Sequence, residues 1–359
     1  MILLNILEIC HEFNIFNVLK VENNTNGLIN KSYIIKTKDR DYIIQKINNS
    51  VFKDPFLLMN NIEKVINHLN EKRQFKCENL ELISTKVGNN CLENDGEFYR
   101  CYNFVNNSIT YDFVENPSQI YEMGKVLGDF QTSLSDFNPK DLKITIPDFH
   151  DTKKRFEKLV ETFKNADSYK QQEVSELYFY IIKNIDQYSL ITDNLNRGIL
   201  PLRVVHNDTK LNNVIFDKNT KKAKCLIDLD TVMPGSLLFD FGDAVRSFVS
   251  NTCEDAKDLS NIGFDMNLFC YFVIGYAYKV RNIITDEEIA LLIDSIYIIT
   301  MEITIRFITD YLENNKYFMV KYDKHNLDRA KNQITLAKTI EYKKEQLRKI
   351  VKNVFTRFE

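Results

Sequence analysis

Val204-Val205-His206-Asn207-Asp208-Thr209-Lys210-Leu211-Asn212-Asn213-Val214-Ile215-Phe216-Asp217 is the stretch whose reading decides the fold. It consists of a short apolar run, a polar loop bearing His-x-Asp-x-x-x-x-Asn, and a second apolar run. Both apolar runs have the length and composition of buried strands. Further on comes Cys225-Leu226-Ile227-Asp228-Leu229-Asp230, which reads as a strand with acidic residues at its end. Any one of these Asp residues alone would read as a turn or cap residue. An Asp, an Asn five residues later and an Ile-Asp pair ending 15 residues beyond that Asn form a much rarer combination.

The same spacing occurs in the catalytic loop of protein kinases. Phosphoryl transfer needs a group to orient and deprotonate the acceptor hydroxyl, a metal ion on the phosphates, and donors for the developing charge. Asp208 suits the first task as a base held in a tight loop. Asn213 offers an amide oxygen to Mg²⁺, and Asp228 offers the carboxylate that a hard cation prefers. Asp230, read on the same strand face, is an auxiliary metal ligand. His206 organises the loop by hydrogen bonding. The Asp240-Phe241-Gly242 that follows imitates a kinase metal motif but starts a helix, so Asp243 reads as a cap and Asp240 and Arg246 as polar anchors. The turn Thr231-Val232-Met233-Pro234-Gly235 borders the acceptor site.

At 359 residues the chain exceeds the roughly 250–300 at which single cores stop growing, which predicts two lobes. A hydrophobic share of 44% against 27% charged residues is an ordinary soluble balance, able to bury a large core. The net charge of −3 carries no electrostatic footprint for nucleic acid. Seven scattered cysteines without a Cys-x-x-Cys pair argue against zinc and disulfides and for a reducing cytoplasm. The longest apolar run, 268–278, is far short of the ~20 residues that span a bilayer, so no membrane partner is expected. The N-terminus lacks the basic residues of a signal peptide.

Before the central stretch, residues 16–22, 32–36, 41–47, 80–86 and 98–104 read as strands, with a polar turn at 23–30 and a helix from Pro55 to about Asn70. The turn, with Asn26 and Gly27, would lie over nucleotide phosphates and offer backbone N–H groups. No G-x-x-x-x-G-K-[ST] occurs, so this is not a P-loop enzyme. Lys46 is the candidate phosphate-gripping lysine, Glu63 on the following helix its candidate partner, and Tyr102 to Phe104 the hinge facing adenine. Gln45 points to the opposite face from Lys46, so strand register decides between them. Later helices are expected at 117–135, 151–164, 170–188, 238–249, 267–280, 286–313 and 326–356, with Thr285 and Glu288 as a capping box. The fold class is α+β: a bilobal protein-kinase-like fold with a small antiparallel-sheet N-lobe over 1–104 and a large, mainly helical C-lobe over 105–359.

The motifs HNDTKLNN (206–213), IDLDTVMPG (227–235) and FGDAVR (241–246) resemble the aminoglycoside phosphotransferase/choline kinase group, and within it the N-acetylhexosamine 1-kinase family. YIIQKIN (42–48), VFKDPFLLMNNIEKV (51–65), IPDFHDTKKRF (146–156), RFITDYLENNKYF (306–318) and HNLDRAKNQ (325–333) extend the resemblance over nearly the whole chain. It implies transfer of phosphate from ATP, with Mg²⁺, to the anomeric hydroxyl of GlcNAc or GalNAc. It also implies Asp208 as base and Asn213 and Asp228 on magnesium. A sugar pocket would draw on His150, Arg306, Asp310 and Tyr317. Lys46 stands where the family often carries Arg, and Tyr99 where it often carries Trp. Other small alcohols (choline, homoserine, an aminoglycoside) remain alternative acceptors, although cationic ones would want an acidic pocket. A non-catalytic nucleotide- or sugar-binding regulator is the alternative from another class. A monomer or a dimer is expected.

Overall fold

The structure, a computed structural model, describes residues 2–24, 29–72, 80–250 and 252–357. Helix α1 (Ile2–Glu12) precedes one antiparallel sheet built from β1 (Val18–Asn24), β2 (Lys31–Thr37), β3 (Tyr42–Ile47), β4 (Leu92–Asn94) and β5 (Glu97–Asn103). Its spatial order is β1-β2-β3-β5-β4, with helix α2 (Pro55–Glu71) inserted in the chain between β3 and β4. Asp95 and Gly96 both adopt positive φ, 51° and 74°, closing a two-residue β4–β5 hairpin. That hairpin occupies the first half of the β5 edge. The strand expected at 80–86 therefore shrinks to one bridge, Leu82 opposite Tyr102.

Side chains alternate across the sheet, so each face has its own core. On the outer face α1 packs Ile6, Ile9, Cys10 and Phe13 against Ile35, Ile44, Tyr99 and Cys101. The inner face, with Ile47, Phe98 and Tyr102, joins α2 and the main core. Asp54 caps α2 by accepting the Leu57 N–H at 2.9 Å, and Pro55 fills the first helical position, as the sequence predicts.

The rest is mainly helical: α3 (Pro117–Ser133), α4 (Thr152–Asn165), α5 (Ser168–Lys183), α6 (Leu190–Asn196), α7 (Leu237–Val249), α8 (Met266–Val280), α9 (Asp286–Leu312) and α10 (His325–Thr356). Thr285 and Glu288 form the expected capping box on α9. Apolar residues surround α9 rather than forming one stripe, and it runs buried through the lobe. At the α3–α8 crossing, Gly275 lies so close to the Tyr121 carbonyl that a Cβ would overlap it, and Gly124 meets the Phe272 carbonyl in the same way.

Short strands are embedded among the helices: β6 (Ser108–Ile109), β7 (Arg203–Val205), β8 (Val214–Asp217), β9 (Ala223–Leu226) and β10 (Met233–Gly235). The two apolar runs of the opening stretch do not pair with each other. β7 pairs with β10, while β8 sits between β6 and β9. The polar loop 206–213 thus passes from one small sheet to another. Among the described residues no helix is long and apolar enough to cross a membrane, and six cysteines are free thiols.

Candidate active site

The loop between β7 and β8 hangs from the start of α7. Asp240 accepts the N–H groups of His206 and Asn207 at 3.1 and 2.7 Å, and the Gln131 amide at 3.0 Å. Asp243 accepts the Thr209 N–H at 3.0 Å and is held by Arg246 at 2.9 Å. Asp240 and Arg246 are the polar anchors expected, whereas Asp243, expected as a cap, lies inside α7, which Ser236 caps instead. His206 is fully buried; its Nε2 donates to the Ile227 carbonyl at 2.9 Å and its Nδ1 accepts the Asp208 N–H at 3.3 Å. Those two bonds assign one neutral tautomer.

Asp208 emerges from this frame half-buried. Its Oδ2 lies 2.9 Å from the Lys210 ammonium and accepts the Asn213 amide N–H at 3.0 Å. Burial works against the Lys210 charge, but Asp208, with Asp228 and Asp243 behind it, raises its pKa. Because Asn213 spends its Nδ2 on Asp208, its Oδ1 is left without a donor among the described residues. Asp228 adopts the left-handed conformation, φ 65° and ψ 57°, and no described group donates to its carboxylate. Burial, reinforced by Asp230 and Asp208, pushes the Asp228 carboxyl up to about 7. An unsatisfied amide oxygen beside a strained, charge-crowded carboxylate is a donor set suited to a hard cation. Among the described residues no three His, Cys, Asp or Glu side chains converge to enclose a metal. An ion here would need oxygens from its ligand, as Mg²⁺ on phosphates does.

Several expected positions are corrected. Lys46 shares the outer face of β3 with Ile44 and pairs with Glu97 at 2.7 Å, turned away from the cleft. Glu63 joins no described ion pair; on α2 it is Asn61 that reaches inward, donating to the carbonyls of Lys143 and Val232 at 2.8 and 3.2 Å. Asp230 lies in a 3-10 turn rather than on a strand. Arg100 takes one of its carboxylate oxygens and Asn30 the other, so neither faces a metal. Asn26 and Gly27 lie outside the described residues. The Tyr102 ring is buried beneath Arg100, 5.3 Å from its guanidinium, so only its backbone borders the hinge. Beyond it, the Phe104 carbonyl and the Val105 N–H take no hydrogen bond among the described residues. Val105 joins Ile215 and Cys225, with Leu80 and Ile227, in a small apolar cluster separate from the main core.

Among the residues expected to form the sugar pocket, the Arg306 guanidinium lies 5.9, 5.7 and 5.4 Å from the rings of Phe149, Tyr317 and Phe318, and no described carboxylate pairs with it. Arg155 stands beside it: burial first, and then the Arg306 charge, lower its pKa, and its Nε is buried without a partner. Asp310 does not face this space. It accepts the N–H groups of Tyr317 and Phe318 at 2.7 and 3.0 Å and the Asn326 amide at 2.8 Å, which fixes the loop after α9. His150 lies edge-on to Phe149 and tilted against Phe239, with both nitrogens engaged, Nδ1 with Glu302 at 3.2 Å and Nε2 with the Asn207 carbonyl at 3.3 Å. It braces the loop that carries Asp208.

Residues 20–260 match the family model described as the phosphotransferase enzyme family (APH). The chain belongs to this family. Its fold is shared with an aminoglycoside phosphotransferase from Alicyclobacillus acidocaldarius, at a TM-score of 0.64 and 13% identity over 94% of both chains. A microcompartment-associated aminopropanol kinase gives 0.60 and 10% identity over 96% of this chain and 98% of that one. Choline kinase from Cryptosporidium parvum gives 0.55 and 15% identity over 98% and 97%. The bilobal α+β reading therefore holds, and the chain is a phosphotransferase of the aminoglycoside phosphotransferase and choline kinase type.

Three polar residues of this phosphotransferase escaped the sequence reading. Lys210 was legible, since it lies two residues after Asp208 inside the motif. Arg100 was signalled by alternation: in Phe98-Tyr99-Arg100-Cys101-Tyr102 it falls on the same face as Phe98 and Tyr102. Arg155 left no signal beyond its place in a basic helix.

Proposed function

We propose that this phosphotransferase transfers the γ-phosphoryl group of ATP to the anomeric hydroxyl of an N-acetylhexosamine, releasing a sugar 1-phosphate and ADP. The charge on the acceptor side carries the reading. Arg306 and Arg155 stand together beside aromatic rings, and Glu302, a carboxylate whose charge both feel, is already held by His150 and Thr152. A choline, aminopropanol or aminoglycoside acceptor would bring a cation into that field; a neutral, hydroxyl-rich sugar would find donors and apolar walls. The sugar-kinase-like motifs 206–213 and 227–235 support the same choice.

In this mechanism Asp208 accepts the proton of the acceptor hydroxyl as its oxygen attacks the γ-phosphorus. The bond from that phosphorus to the β-γ bridging oxygen breaks, and the charge leaves with ADP. Lys210, 2.9 Å from Asp208, orients the base and faces the phosphoryl group in flight. Asn213 Oδ1 and Asp228 would hold magnesium, which supplies charge neutralisation on the phosphates. The Val105 N–H and Phe104 carbonyl meet adenine over a floor of Ile215 and Ile227.

The test is turnover of a panel of sugars and amino alcohols with Mg·ATP, reading ADP release and the position of the new phosphate. Phosphorylation of GlcNAc or GalNAc at C1 is expected. Turnover of choline or an aminoglycoside, with no hexosamine accepted, would overturn the assignment.

A further inference from the structure

Arg100 is a fully enclosed cation, 1% exposed, at the inner face of the small sheet. Its guanidinium leaves β5 and crosses to the catalytic lobe. Nη1 pairs with Asp230, and Nε donates to Gln45 Oε1 at 2.9 Å. Gln45 in turn donates to Ser32 at 2.9 Å. The second carboxylate oxygen of Asp230 accepts from Asn30 at 2.6 Å, and Asn30 also accepts the Asn48 N–H at 2.9 Å. One buried carboxylate thereby collects three strands' worth of small-lobe polar groups: Asn30 just before β2, Gln45 on β3 through Arg100, and Arg100 itself on β5.

A buried ion pair contributes little to stability compared with apolar side chains of the same shape. What this pair does supply is geometry. Asp230 stands two residues after Asp228, in the 3-10 turn Leu229–Thr231 that follows it directly. Asp228 holds a backbone conformation unfavourable for a residue with a Cβ, and its own side chain has no described donor to fix it. On the near side it is tied by the Ile227 N–H to the Asn213 carbonyl at 2.9 Å; on the far side Thr231 binds the turn to the catalytic loop, through the Asn207 amide at 2.8 Å and the His206 carbonyl at 2.6 Å, and Asp230 binds it to the small sheet.

We propose that Arg100 is a positioning residue: by clamping Asp230 it sets the orientation of Asp228 against the small lobe. The inference rests on the phosphotransferase reading, but not on the identity of the acceptor. Its consequence is confined to the metal-dependent part of nucleotide binding, because adenine contacts at Val105 and Ile215 lie on other elements.

Direct calorimetric binding of ADP, with and without Mg²⁺ and with no acceptor present, tests it. In the double variant Arg100→Met/Asp230→Leu neither charge is stranded, so the protein is expected to melt near the parent temperature. Its affinity for Mg·ADP should fall about tenfold while metal-free ADP binds as before. Arg100→Lys, which keeps the charge, should recover part of the loss. If the double variant fails to fold, Asp230→Asn carries the same comparison. Unchanged Mg·ADP affinity, or an equal loss with and without Mg²⁺, would overturn the proposal.

Discussion

Asp208 and Lys210 form a pair in which each fixes the other. Asp208→Asn keeps the shape and the Asn213 contact but removes the base. Turnover should fall roughly 10²- to 10⁴-fold, with ADP affinity nearly unchanged by calorimetry; full activity would remove Asp208 from the role of base. Lys210→Met should lower kcat by roughly 10²-fold, with little change in nucleotide affinity, because its nearest described partner is Asp208 and not the hinge. Lys46→Ala should leave Mg·ADP affinity within error of the parent, since its partner is Glu97 on the outer face. A large loss would mean that β3 rotates when nucleotide binds. The sequence put Asp208 in the loop where the structure has it and put Lys46 on the wrong face of its strand for a simple reason: motif spacing fixes neighbours along the chain, whereas which face of a strand meets the cleft depends on what covers the other face. Here α1 covers it.

Among the elements, the ones legible in advance were those with local signals. α2 carried Asp54-Pro55 and α9 carried Thr285 with Glu288, and both helices start at those caps. Thr285→Ala should cost about 1 kcal/mol of stability, measured by urea unfolding. Segments whose pairing is decided at a distance were not legible. The bridge at Leu82 depends on how far the β4–β5 hairpin reaches along β5, and the separate partners of β7 and β8 depend on β10 and β6. The α3–α8 crossing is another such case. Its closeness rests on Gly124 and Gly275, neither of which announces itself among apolar neighbours. Gly275→Ala should destabilise by about 1–3 kcal/mol, because backbone faces the new methyl and cannot swing away as a side chain can.

Across the whole molecule, His150 joins α9 to the loop that carries Asp208. Burial opposes its positive charge, but Glu302 outweighs burial and raises the pKa. The sign follows: with the folded pKa above the unfolded value of about 6.5, the stabilisation is complete below about pH 6.5 and is lost as pH rises through the folded pKa. The stability gap between the parent and Glu302→Gln should therefore be widest in mildly acid buffer and narrow toward alkaline pH in urea unfolding. A gap constant with pH would mean that His150 stays neutral. The sequence placed His150 and Arg306 in one region through family likeness. That Glu302 holds the histidine by one nitrogen while the other meets the Asn207 carbonyl is long-range geometry, visible only once α9 lies beside α4.

The burial of α9 on nearly all sides bears on how this molecule exchanges its amide hydrogens. The middle turns of α9 have no route to solvent short of global opening, so deuterium should enter them last. The small five-stranded sheet shares its outer core with a short terminal helix, and deuterium should enter there by smaller openings. Glu302 and Arg306 ride on the slow element, whereas Arg100 rides on the sheet. In the proposed mechanism the two substrates would thus meet parts of the protein that keep different clocks, and an exchange map taken with nucleotide alone should slow the sheet while leaving α9 as it was.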